Sequence, residues 1–122
     1  MLQILESEDH VLAVRLSGTL TAGDVALVAK EVDARLERHE KIGIFAELTD
    51  FHDLTAEAAA KDFAYGFSKI GQWSRFPREA VVTDKQWVRT LIKLMDPVIP
   101  MVDVRAFEPA QRDEALAWAA AI

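Results

Sequence analysis

The segment Ile42-Gly43-Ile44-Phe45-Ala46-Glu47-Leu48, followed by Thr49-Asp50-Phe51-His52-Asp53-Leu54-Thr55, decides the fold class. Its first half alternates. Ile42, Ile44, Ala46 and Leu48 fall on one side of a strand, and Gly43, Phe45 and Glu47 fall on the other. The second half is polar and reads as a loop. Thr55 is suited to cap a helix over Ala56 to about Ile70, because its hydroxyl can accept an otherwise orphaned backbone N–H. A strand that leads through a loop into a helix is one βα unit.

The rest of the chain repeats that unit. Upstream, Met1 to Leu5 and Val11 to Ser17 read as strands joined by the polar turn Glu6-Ser7-Glu8-Asp9. So short a turn predicts an antiparallel pair. Thr21-Ala22-Gly23-Asp24 has the spacing of a capping box, and Val25, Val28, Ala29, Val32 and Leu36 form the stripe of a first helix. Downstream, the expected inward residues of the second helix are Ala59, Ala60, Phe63, Phe67 and Ile70. Ala80 to Thr83 is a fourth strand. Asp84 is placed to cap a third helix with Val88, Leu91, Ile92 and Met95 on its core stripe. Pro97 and Pro100 bracket a turn, Met101 to Phe107 is a fifth strand, and Pro109 opens a final helix where its missing N–H costs nothing.

Strands alternating with helices imply a mostly parallel sheet. A parallel sheet buried on both faces reads as continuous apolar runs, whereas these strands alternate. The expectation is therefore a five-stranded mixed sheet with its first strand antiparallel. About four helices lie mainly on one face, with the other face partly open. Sequential strand order would produce this, since right-handed crossovers between neighbours place successive helices on one side. Arg15, Glu47, Asp103 and Arg105 are candidates for cross-strand charge pairs on the open face.

Composition narrows the function. The chain has 122 residues, 14 Lys plus Arg against 20 Asp plus Glu, a net charge of −6 and no cysteine. The length suits one domain over residues 1–122. The acidity argues against nucleic-acid binding. Without cysteine there is no disulfide scaffold, thiolate zinc site or thiol nucleophile. No targeting segment and no apolar run of transmembrane length is found, so a soluble cytoplasmic protein is expected.

Glycines at 18, 23, 43, 66 and 71 match neither a dinucleotide loop nor a P-loop. Ser7, Ser17, Ser68 and Ser74 lack a nucleophile-elbow pattern. His10 and His39 are read as surface residues. His52, beside Asp50, Asp53 and Thr55, follows the third strand on the side where open α/β sheets hold ligands. Loop solvation and capping account for these residues without a metal, so no enzyme activity, metal or cofactor is expected.

The aromatic residues point elsewhere. Trp73 and Phe76 lie in the connection before the fourth strand, and Ile99 lies in the Pro97–Pro100 turn. Trp87 and Leu94 form a second apolar stripe on the third helix, away from its core stripe. A helix apolar on two sides is deeply buried or has a second partner. That partner is another subunit, an apolar ligand or a membrane surface.

Several stretches, in order, resemble the SpoIIAA-like family, in the fold group shared by STAS and CRAL-TRIO domains. They are Leu2-Gln3-Ile4-Leu5, Val14 through Thr21, Glu47-Leu48-Thr49-Asp50-Phe51-His52, Ala80 through Trp87, Val104-Arg105-Ala106-Phe107 and Glu114-Ala115-Leu116-Ala117-Trp118. The resemblance implies a right-handed β-α superhelix and a non-enzymatic protein. STAS domains act by protein contact, some switched by phosphorylation at the helix after the third strand, and CRAL-TRIO domains hold apolar ligands. The position matching the phospho-acceptor motif reads His52-Asp53-Leu54-Thr55-Ala56, which leaves Thr55 as the hydroxyl there.

The leading expectation is a non-catalytic domain, homodimeric, that binds an apolar small molecule or lipid, or associates peripherally with a membrane. Its surface would use Asp50, His52, Thr55, Trp73, Phe76, Trp87, Leu94 and Ile99. The alternative is a STAS-type regulatory module with a protein partner and Thr55 as its phosphosite.

Overall fold

The structure is a computed structural model and describes residues 1–68, 70–95 and 101–122. Ile99 and the turn bracketed by Pro97 and Pro100 lie outside the described residues. The chain runs β1 (Leu2–Leu5), β2 (Val11–Leu20), α1 (Ala22–Arg38), β3 (Gly43–Leu54), α2 (Ala56–Ser68), a 3₁₀ segment (Ile70–Arg75), β4 (Arg78–Val82), α3 (Gln86–Met95), β5 (Asp103–Phe107), a 3₁₀ turn (Pro109–Gln111) and α4 (Arg112–Ala120).

The sheet order is β1-β2-β3-β4-β5. β1 is antiparallel to β2, with Leu2 opposite Leu16, and every later pair is parallel. The alternating strands send their side chains to two cores. On one face, Leu12, Val14, Ile42 and Val102 pack with Val32 and Leu36 of α1 and with Phe76. On the other, Val11, Ala13, Phe45, Ala80 and Val82 meet Ala115 and Ala119 of α4. The second face is thus closed by α4 over the early part of the strands. Its alanines let the helix lie close, and the polar residues of the pattern fall beyond it.

The capping box of α1 forms as its spacing predicts. Asp24 N–H donates to Thr21 Oγ1 at 3.3 Å, and Thr21 N–H donates to Asp24 Oδ2 at 3.0 Å. That backbone bond to the carboxylate lowers the Asp24 pKa. At the other end, Arg75 reaches back to donate to the carbonyls of Leu36, His39 and Glu40 at 2.7, 2.9 and 2.7 Å. One guanidinium therefore satisfies carbonyls that a helix end leaves without partners.

Several local readings are corrected. The polar stretch Thr49–Leu54 continues β3 rather than forming a loop. In α2 the buried alanine is Ala58, while Ala59 and Ala60 are exposed. Tyr65 packs against the first core and donates to Asp33 Oδ1 at 2.9 Å. The side chains of Phe63, Phe67 and Ile70 lie outside the described ones. Before α3, which begins at Gln86, Thr83 is fully buried and its Oγ1 accepts from Lys85 N–H at 3.0 Å, a turn that leads into the helix, while Asp84, expected as its cap, is exposed. His10 is half-buried and bonds the Ala120 carbonyl at 2.7 Å, so it ties the β1–β2 turn to the end of α4.

Candidate functional site

Among the described residues, the positive-φ backbone positions lie toward the carboxyl ends of β2 and β3. Gly18 has φ +62° and Asp50 has φ +49°, both in the left-handed region. Between them the register slips twice: Leu16 faces Leu48, Gly18 faces Phe51, and Thr19 faces Asp53. Each slip inserts an extra residue in β3, which bends and twists the strand pair. The distortion lets a polar sequence stay in the sheet. Thr19 Oγ1 donates to Asp53 Oδ1 at 2.9 Å, and Thr55 N–H donates to the Leu20 carbonyl at 3.0 Å.

It also buries Phe51 between two exposed neighbours, Asp50 and His52. The Phe51 ring meets the Trp87 ring at a centroid distance of 6.2 Å and an interplanar angle of 30°. Trp87 stays 50% exposed and Leu94, two helical turns further along α3, is 67% exposed. Of the readings open for this stripe, deep core burial is thereby removed. The stripe is an outer flank, anchored at one end on Phe51.

Thr55 does what its position predicts. Its Oγ1 accepts from the Ala58 N–H at 3.0 Å at the start of α2. Asp50 and His52 are exposed and Asp53 is held by Thr19, so the three do not converge on one point. Among the described residues, no group of three His, Cys, Asp or Glu side chains is arranged to hold a metal ion.

Two expected surface residues are not on this surface. Phe76, 7% exposed, is part of the core over α1, and Trp73 packs against that same core. Their position in a connection hid this, because the 3₁₀ segment folds back over the sheet instead of running across the surface. Phe51 is the residue that sequence reasoning missed. Its signal was a lone large aromatic within a polar stretch.

The second face holds a charge cluster. Glu47 is buried, and its Oε1 accepts from Arg15 Nε at 2.6 Å while its Oε2 is bonded by Arg112. Arg15 and Glu47 are direct cross-strand neighbours, as the alternation predicts. Burial pushes the Glu47 carboxyl up, but the two arginine bonds outweigh it and hold the pKa below its ordinary value. Asp103 and Arg105 also pair, at 3.2 Å, but along one strand rather than across two. Arg105 and Arg78 both stack on Trp118, at 4.9 and 5.0 Å from its centroid.

Under the helices of the first face sits an unexpected acid. Glu79 lies in register between Ile44 and Val104. Burial, and then the nearby Asp62 charge, push its pKa up to about 7.

The fold has a known counterpart. The sequence matches the SpoIIAA-like family over residues 11–120. The chain belongs to the SpoIIAA-like family. No curated protein matches it. Among solved structures, it is similar to an uncharacterized protein from the DUF3478 family with a SpoIIAA-like fold, from Shewanella loihica PV-4. That similarity has a TM-score of 0.73 at 22% identity, and it covers 98% of this chain and 92% of that one. The SpoIIAA-like fold, with its antiparallel first strand, is therefore shared by both. Among the described residues, no helix of this SpoIIAA-like chain is long and apolar enough to cross a membrane.

Proposed function

We propose that this chain is a non-catalytic protein-interaction module of the STAS type, and that its contact surface is the flank formed by Trp87, Leu94 and the bulged end of β3. The observation that carries this reading is the pairing of a half-exposed Trp87 with a buried Phe51. A large aromatic held by a fixed partner beneath it is a rigid anchor, the kind of group that dominates protein interfaces. Around it, Asp50, Asp53, Asp84 and Lys85 are exposed and supply a polar rim. Thr55 follows the bulged end of β3, where an added phosphate would meet the start of α2 and the adjacent Asp53.

A second reading, an apolar ligand or a membrane as the target, draws on the same exposed Trp87 and Leu94. The acidic rim favours protein contact over it, since anionic lipid would be repelled by these aspartates.

Affinity capture with the purified chain and with the double variant Trp87→Ala/Leu94→Ala tests the proposal. A protein partner held by the parent chain should be lost from the double variant and weakened by Thr55→Glu. Flotation with liposomes that depends on Trp87 and Leu94, with no protein partner, would instead establish the membrane reading. Retention of the same partner by the double variant would overturn the proposed surface.

A further inference from the structure

Among the described residues β5 ends the sheet, and α3 stands off from it to leave an open groove of about 540 Å³. Arg89, Ile92 and Lys93 form the helix wall of the groove, and Asp103 to Ala106 form the strand wall. The polarity of that strand wall follows from the ladder. Asp103 N–H donates inward to the Pro77 carbonyl at 2.9 Å, and the Phe107 carbonyl accepts inward from Thr83 N–H at 3.0 Å. In a parallel ladder the N–H and C=O of one residue point the same way, and alternate residues point oppositely. Val104 and Ala106 therefore direct their backbone groups outward, as a template for another strand.

Charge selects the occupant. On a chain of net charge −6, the helix wall of this groove is cationic. Arg89 donates one bond to the Thr83 carbonyl at 2.9 Å, which leaves most of its donors unused. Lys93 is exposed one turn further along. The acid in the groove, Asp103, is paired with Arg105. Edge-to-edge pairing with a second copy would continue the sheet and bring Arg89 and Lys93 of each chain against the same residues of the other. Like charges so placed oppose that arrangement.

We propose that the β5 edge accepts an extended acidic segment of a partner protein as a sixth strand, with its alternate carboxylates beneath Arg89 and Lys93. The backbone of Val104 and Ala106 supplies the affinity common to any strand, and the two cations choose an acidic one. This surface is separate from the Trp87 flank, which lies on the opposite side of α3.

The test uses a fluorescein-labelled peptide of alternating Glu and Val, with an alternating Lys and Val peptide as its counterpart. Binding is read by anisotropy and by amide exchange. The acidic peptide should bind, slow exchange at the Val104 and Ala106 amides, and weaken as salt is raised. Lys93→Glu should weaken it about tenfold. Val104→Pro, which removes an outward N–H without touching the ladder, should abolish it. If Val104→Pro does not fold, exchange in the parent chain decides. Trp87→Ala should leave binding unchanged, so failure here is distinguishable from failure of the Trp87 surface. Unchanged exchange at Val104 and Ala106, equal binding of the basic peptide, or a self-paired dimer that protects those amides would each overturn the proposal.

Discussion

Gly43 lies beneath the carbonyl of Ala119: a Cβ built on it would fall inside the envelope of that oxygen and 2.9 Å from its carbonyl carbon. The close seat of α4 on β3 thus depends on the absence of a side chain at the first residue of β3. The neighbour in the way is backbone, which cannot swing aside as a side chain tip can. Gly43→Ala should lower stability by about 2–3 kcal/mol. Urea unfolding followed by circular dichroism measures this, and an unchanged midpoint would show that α4 can lift without loss.

Glu47 holds two arginines at the boundary of the α4 core. Removing it leaves Arg15 and Arg112 repelling each other in a partly buried place. Glu47→Ala should cost about 2 kcal/mol, less than for a fully enclosed pair because both arginines reach solvent. Its folded pKa is lowered, so its contribution is present above the ordinary value of 4.5 and is lost as pH falls through the lower folded value. Acid unfolding of the parent chain should therefore begin at higher pH than that of a Glu47→Gln variant corrected for its lower starting stability.

Glu79 behaves in the opposite sense. Its folded pKa is raised from 4.5 to about 7, so the folded state holds the proton more tightly than the unfolded chain. Stability falls as pH rises through that window. Part of the side chain still reaches solvent, which limits the effect. Glu79→Gln should stabilise the protein at pH 8 by about 2 kcal/mol and have little effect at pH 4. Thermal melts at the two pH values check this; equal gains at both would remove the titration as the cause.

Thr55→Ala should destabilise by about 1 kcal/mol, because the Ala58 N–H loses its acceptor. Thr55→Asp should recover most of that loss, since Asp also caps. Urea midpoints for the two variants make the comparison, and equal losses would mean that the hydroxyl does more than cap.

Much of the fold was legible because alternation in β2 and β3 has a strict period of two. Leu12 and Val14 against Val11 and Ala13 assigns two faces before any helix is placed. The polar half of β3 was not legible. Asp50 and Gly18 adopt left-handed backbone and break the register, so the period that identifies a strand is lost where the strand continues. The phase of α2 was hidden by Ala58-Ala59-Ala60, three residues of equal hydropathy of which the first alone is buried. For the candidate site, the Trp87–Leu94 stripe was visible as helical spacing. Its anchor, Phe51, was not, because the contact joins residues from two elements that no local pattern links. Glu79 had a faint signal: in β4 it shares the parity of Val81, so the strand had to turn one charge toward the helices.

The position of α4 has a consequence for synthesis. Val11, Ala13, Phe45, Ala80 and Val82 are covered by residues 112–120, which leave the ribosome after all five strands. The opposite face takes its cover from α1 and Phe76, which emerge before β4 and β5. One side of the nascent sheet thus gains its helical cover first, while the other presents a bare apolar stripe to chaperones until α4 arrives.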